Sequence, residues 1–157
     1  MEIVRIIIFI VVILYLVLAL FFVHITVTYQ KQLSKSSETL ASLFAGQIAL
    51  FKMLGANRKH DYINEEELNV LLEKKDLATV NKILLEKDRE LQTTLKTLAK
   101  ADAKTGQIIN GIAENVVLIR NEVYRYNKLV ANLNINKDSL IFALFVVMLR
   151  LKTLEKI

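Results

Sequence analysis

Ile6 to Val23, IIIFIVVILYLVLALFFV, is a run of eighteen apolar residues near the start of the chain. With Ile3 and Val4 before it and Ile25 and Val27 after, a helix over 3–27 is about 37 Å long at ~1.5 Å per residue. That length crosses a hydrocarbon core of roughly 30 Å with modest tilt. A secretory signal has a basic head, a shorter apolar core and a small-x-small cleavage site. Here only Arg5 is basic in the head, and Phe22-Val23-His24-Ile25-Thr26-Val27 has no paired small residues. The run therefore reads as a retained anchor over 1–27, with Ile6, Phe9, Leu14, Leu18 and Phe22 in contact with lipid. Tyr15 falls mid-span and is expected to face a partner helix, while His24 and Tyr29 fall at the interface. Lys31 and Lys35 after the span outweigh Arg5 before it, which favours the bulk of the chain on the cytoplasmic side of the cell membrane.

The remaining 28–157 suffice for one domain. The chain has no proline and four glycines, so turns are scarce and long helices are expected. Absence of cysteine excludes disulfides, thiolate chemistry and cysteine metal sites. The net charge of +5 is unevenly spread: residues 31–60 carry five basic and one acidic, 61–119 eight and eleven, 120–157 seven and three. Solvated helix faces explain this pattern most simply; attraction of the basic ends to anionic headgroups is the alternative.

The fold expected is all-α, an N-terminal transmembrane helix continuing into an antiparallel three- to four-helix bundle with coiled-coil character. Its helices are expected at about 28–55, 64–103, 106–133 and 138–156. Leu33, Leu40, Phe44, Ile48, Phe51 and Leu54 mark the apolar face of the first, which Gly55-Ala56-Asn57 should end. Ser34, Ser36 and Ser37 are poor helix formers and predict a bend or fraying at the join. Asn64 with Glu67 predicts a capped helix start, and Asp76 a second one that would divide 64–103 by a kink. Leu77, Leu84, Leu91 and Leu98 recur every seven residues, with Lys87, Asp88 and Thr94 interrupting the alternate seam. Glu86, Asp88 and Glu90 among Lys87 and Arg89 read as a solvent face.

After a break at Lys104-Thr105-Gly106, Ile109, Ile112, Val116, Ile119, Val123, Tyr126, Val130 and Leu133 alternate steps of three and four. Ile112, Val116, Ile119, Val123, Tyr126 and Val130 are the expected bundle core. NLNIN at 132–136 predicts another break, and Asp138 or Ser139 a cap. Leu140 to Leu149 is apolar on every side but too short to span a bilayer. Leu140, Phe142, Leu144, Phe145 and Met148, followed by Arg150 and Lys152, are therefore the expected interface with a protein partner, a second copy or the membrane surface. On that reading Phe142→Asp or Phe145→Asp disrupts assembly or membrane association more than folding.

Chemistry has little support. There is no Gly-rich phosphate loop, no His-x-x-x-His pair and no G-x-S-x-G elbow, and His24 and His60 are the two histidines. Glu65-Glu66-Glu67 point around a helix rather than converging on a metal. The Tyr124–Lys128 mixture of aromatic and basic residues is one turn long, and Tyr126 belongs to the core stripe, which argues against nucleic acid. We expect no catalytic residue, metal, cofactor or small-molecule substrate.

Two short stretches carry a resemblance. Arg58-Lys59-His60-Asp61-Tyr62-Ile63-Asn64 is similar to the RRHDLIPN segment of the LemA family, without its proline. Val123-Tyr124-Arg125-Tyr126-Asn127-Lys128-Leu129-Val130 is similar to that family's second tyrosine-asparagine repeat. Ile119-Arg120 stands where the first Tyr-Asn pair would be, and Leu133-Asn134 where Phe-Pro is usual. The order of anchor, long helices and apolar final helix also resembles these bacterial membrane proteins, one branch of which is linked to magnetosome membranes. The resemblance implies a membrane-anchored helical protein without a known reaction. The functional expectation is a structural or interaction scaffold of the bacterial envelope, with the lipid bilayer and a protein partner or homo-oligomer as its contacts. The alternative is a sensor or accessory subunit of secretion, envelope or phage machinery that relays signals through the anchor helix.

Overall fold

A computed structural model of the chain describes residues 2–98, 103–138 and 156–157. Its regular structure among the described residues is entirely helical: α1 (Glu2–Arg58), α2 (Glu65–Glu73), α3 (Leu77–Leu98) and α4 (Ala103–Asp138). Two compact units are distinguished, one holding the described residues of Met1–Ser34 and Lys128–Glu155, the other Lys35–Asn127 with Lys156 and Ile157.

The second unit has one apolar core. Leu40, Phe44, Ile48, Phe51 and Leu54 of α1 enter it, with Leu68 of α2, Leu77, Val80, Leu84 and Leu91 of α3, and Ile109, Ile112, Val116 and Ile119 of α4. Steps of three and four along each helix put these residues on one face, so burial follows from spacing. At its edge, Asn127 Nδ2 donates to the Ile157 carbonyl and Ile157 N–H to Asn127 Oδ1, each at 2.9 Å. In the first unit, α1 is exposed from Ile3 to Leu18, while Phe22, Thr26 and Leu33 of α1 and Val130 and Leu133 of α4 are buried.

Local chemistry explains most helix ends. Asn64 Oδ1 accepts from Glu67 N–H at 3.3 Å, and Asp76 Oδ1 from Thr79 N–H at 3.1 Å, so each caps the helix that follows it. The expected helix over 64–103 is thereby divided into α2 and α3 at Asp76, as its capping side chain predicts. Both α1 and α2 end in a Schellman turn, with His60 N–H donating to the Gly55 carbonyl (3.1 Å) and Asp76 N–H to the Leu71 carbonyl (3.0 Å). The left-handed positions are lysines, Lys59 at φ 53° and Lys75 at φ 58°.

Several expected breaks are absent. Gly55 does not end α1; it lies three residues inside the end, where an added Cβ would sit 2.8 Å from the His60 carbonyl oxygen. The serine-rich join does not fray into coil: α1 is unbroken, and the buried Ser36 hydroxyl donates to Glu122 Oε1. Lys104-Thr105-Gly106 forms the first turn of α4, not a break before it, and buried Thr105 Oγ1 accepts from Asn57 Nδ2 at 2.7 Å. Asn132 to Asn136 remain helical through to Asp138, because Val130 and Leu133 continue the packed stripe across the asparagines. The expected helix over 138–156 lies outside the described residues, apart from Asp138, the last residue of α4.

Candidate functional site

Among the described residues, one helix, α1, is long and apolar enough to cross a membrane. Its apolar stretch is not hidden in the protein: Ile6, Phe9, Leu14 and Leu18 are exposed by 57, 66, 59 and 36%. Phe22, expected with them at the lipid, is 1% exposed and therefore turned toward protein. Tyr15 is 41% exposed on the same helix. An uncovered apolar surface of this length is costly in water and favourable in hydrocarbon.

The stripe on α4 divides between the two units. Ile112, Val116 and Ile119 are buried in the core of the second unit, with Val123 and Tyr126 packed against it. Val130 is buried in the first unit. Burial pushes the Tyr126 hydroxyl above its ordinary pKa, so it stays protonated through neutral pH. Most of the stripe is therefore turned inward. The large apolar residues that α4 exposes in the second unit are Val117 (54%), Leu118 (53%) and Tyr124 (71%). Val117 and Tyr124 are seven residues apart and so lie on one face, beside Leu118 and Arg125. Leu140, Phe142, Leu144, Phe145, Met148, Arg150 and Lys152 lie outside the described residues.

An unexpected polar cluster interrupts the core of the second unit. Asp88, read from the sequence as a solvent-face residue, is 2% exposed. Its Oδ2 accepts from Gln92 Nε2 at 2.9 Å and lies 4.0 Å from the Arg120 guanidinium, which is itself largely in solvent. Burial raises the Asp88 pKa above 3.8, outweighing the opposite pull of Arg120 and the Gln92 hydrogen bond. On α1, Gln47 is fully buried, and its Oε1 accepts from Asn115 Nδ2 at 2.8 Å. The same Nδ2 donates to the Leu43 carbonyl at 3.0 Å. Gln47, Asn81, Asp88 and Arg120 line a small cleft with Leu84, Leu85, Val116 and Ile119. A signal for both residues was present in the spacing. Gln47 continues the 40–44–51–54 stripe of α1, and Asp88 continues 77–80–84–91 of α3.

A wider, open groove of about 670 Å³ lies where α2 begins, lined by Lys52, Asp61, Tyr62, Glu65, Glu66 and Lys87 among others. Lys52 Nζ and Glu65 Oε2 form an ion pair across it at 2.8 Å, and the His60 and Tyr62 rings meet edge to face at 4.8 Å. Among the described residues no three His, Cys, Asp or Glu side chains come together as a metal site. Glu65, Glu66 and Glu67 occupy the first turn of α2, where the helix dipole favours them.

No family model, no curated protein and no solved structure matches the chain.

Proposed function

We propose that the chain is a single-span membrane protein that holds a helical bundle beside the bilayer as an interaction scaffold, without a reaction of its own. One observation carries this reading: the N-terminal part of α1 exposes its apolar side chains, while Leu40 to Leu54 of the same helix are core residues. A helix with both properties needs lipid for one part and protein for the other. The LemA-like order of features supports the same picture, and the excess of Lys31 and Lys35 over Arg5 favours the bulk of the chain on the cytoplasmic side. Partner contact is assigned to the face of α4 bearing Val117, Leu118 and Tyr124, in addition to the apolar segment 140–149. These surfaces would serve a protein partner or a second copy.

Alkaline carbonate extraction of membranes containing the full chain tests the anchor. The chain should stay in the pellet, and a version without residues 2–27 should be released. Release of the full chain would refute the proposal. A photo-crosslinker at Leu118 or Tyr124 should capture a neighbour in native membranes, and one at buried Ile112 should not; equal yields would refute the partner face. The sensor or accessory-subunit reading draws on the unbroken run of α1 from Glu2 to Arg58, since a continuous helix transmits displacement along its axis.

A further inference from the structure

The polar cleft holds a donor without an acceptor, and a chain of hydrogen bonds fixes its direction. The Leu43 carbonyl only accepts, so Asn115 must present Nδ2 to it. That same Nδ2 meets the Gln47 side chain and requires its oxygen there. Gln47 Nε2 is thereby directed away from Asn115, and it has no hydrogen-bond partner among the described residues although Gln47 is 0% exposed. Turning Gln47 over would set two amide NH2 groups against each other. Turning both amides would set Asn115 Oδ1 against the Leu43 carbonyl. The cleft that Gln47 shares with Asn81, Asp88 and Arg120 leaves about 10 Å³ to the centre of a water-sized sphere, about the room that one water needs.

The geometry points to one ordered water in this cleft, accepting a hydrogen from Gln47 Nε2 and donating one to the Asp88 carboxylate. The surrounding charges select the ligand. A cation would face amide hydrogens and the Arg120 guanidinium; an anion would face Asp88. A neutral molecule of this size that both accepts and donates is water. Asp88 has acceptor capacity to spare, since a carboxylate offers about four lone-pair sites and Gln92 fills one. Asn81 supplies a third polar side chain, matching the roughly three hydrogen bonds of a typical buried water. The water thus joins α1 to α3, with Arg120 of α4 at the rim.

The test is a water-selective NOE and ROE measurement on the ¹⁵N-labelled full chain in detergent micelles, read at the Gln47 side-chain amide. NOE and ROE cross-peaks to water of opposite sign, the mark of a long-held water, are expected there and not at exposed Gln107. Ordered Gln47 resonances with no such cross-peak would overturn the proposal. So would a scalar coupling showing that Nε2 donates directly to Asp88 or Asn81. Asp88→Leu removes the acceptor and fills the cleft, so the Gln47 cross-peak should fall to the Gln107 level; an unchanged cross-peak would overturn the role of Asp88. The wild-type spectrum decides the site even where this variant does not fold.

Discussion

Gly55→Ala separates two physical effects by sign. Alanine in place of a helical glycine ordinarily stabilises by about 1 kcal/mol. At position 55, however, the new Cβ would lie 2.8 Å from the His60 carbonyl oxygen and 3.7 Å from its carbon. Ordinary contact begins near 3.4 Å, so a backbone carbonyl must retreat by about 0.6 Å, and overpacking of this kind costs about 1–3 kcal/mol. The displaced residue also donates the 3.1 Å bond that closes α1, a further loss of about 0.5–1.5 kcal/mol. The net expectation is destabilisation by about 1–3 kcal/mol. For a unit of this size that lowers Tm by at least about 4 °C. Thermal melting of the full chain in mild detergent, followed by circular dichroism, reads the shift. Hydrogen exchange at the His60 amide reads its local cause. Gly46→Ala is the comparison, because its Cβ would meet only Asn115 Nδ2 at 3.9 Å; it should raise Tm. A Gly55→Ala protein as stable as wild type, with His60 still protected, would refute the reasoning.

Lys75→Gly should stabilise by about 0.5–1 kcal/mol, since a left-handed non-glycine residue costs about 1–2 kcal/mol and the freer unfolded chain returns part of that; a lower urea midpoint would contradict it. Phe44→Ala, at a fully buried core position, should cost about 3–5 kcal/mol, read from the same denaturation curves. Asp88 is expected to invert the usual carboxylate pH dependence. Its pKa is raised in the folded state, so its contribution is greatest below pH 3.8 and is lost as pH rises through the folded value. Asp88→Asn should therefore stabilise more at pH 7 than at pH 4, and a gain of equal size at both would show that burial of the charge is not the cause. On the proposed anchor reading, Leu14→Arg places a charge at mid-span, at a cost of about 2.5–3.5 kcal/mol for insertion, and should shift the chain toward the carbonate-soluble fraction.

The N-terminal helix was legible because eighteen consecutive apolar residues need no knowledge of the rest of the chain. The core stripes were legible for a related reason, as helical periodicity decides which residues share a face. Helix ends were read less well. The expected stops fell on Gly55, Gly106 and the asparagines of NLNIN, yet all of these are helical. The turns instead place lysines at the left-handed positions, where residue preference favours glycine or asparagine. Gly55 is needed for a different property, its missing Cβ beneath the returning chain, and sequence alone does not show which chain returns.

The polar cluster was hidden for a deeper reason. An Asp among Lys, Arg and Glu reads as solvent-facing by composition, although its position in the 77–80–84–88–91 series puts it inside. Where composition and spacing disagree, spacing prevailed, because four apolar neighbours on the same stripe fix how α3 turns about its axis. What spacing does not supply is the partner. Gln47 meets Asn115 across 68 residues, and Asn115 meets Leu43 across 72. The conflict at Asp88 is therefore the informative feature: a charged residue on a core stripe marks where another helix, or a water, must answer it.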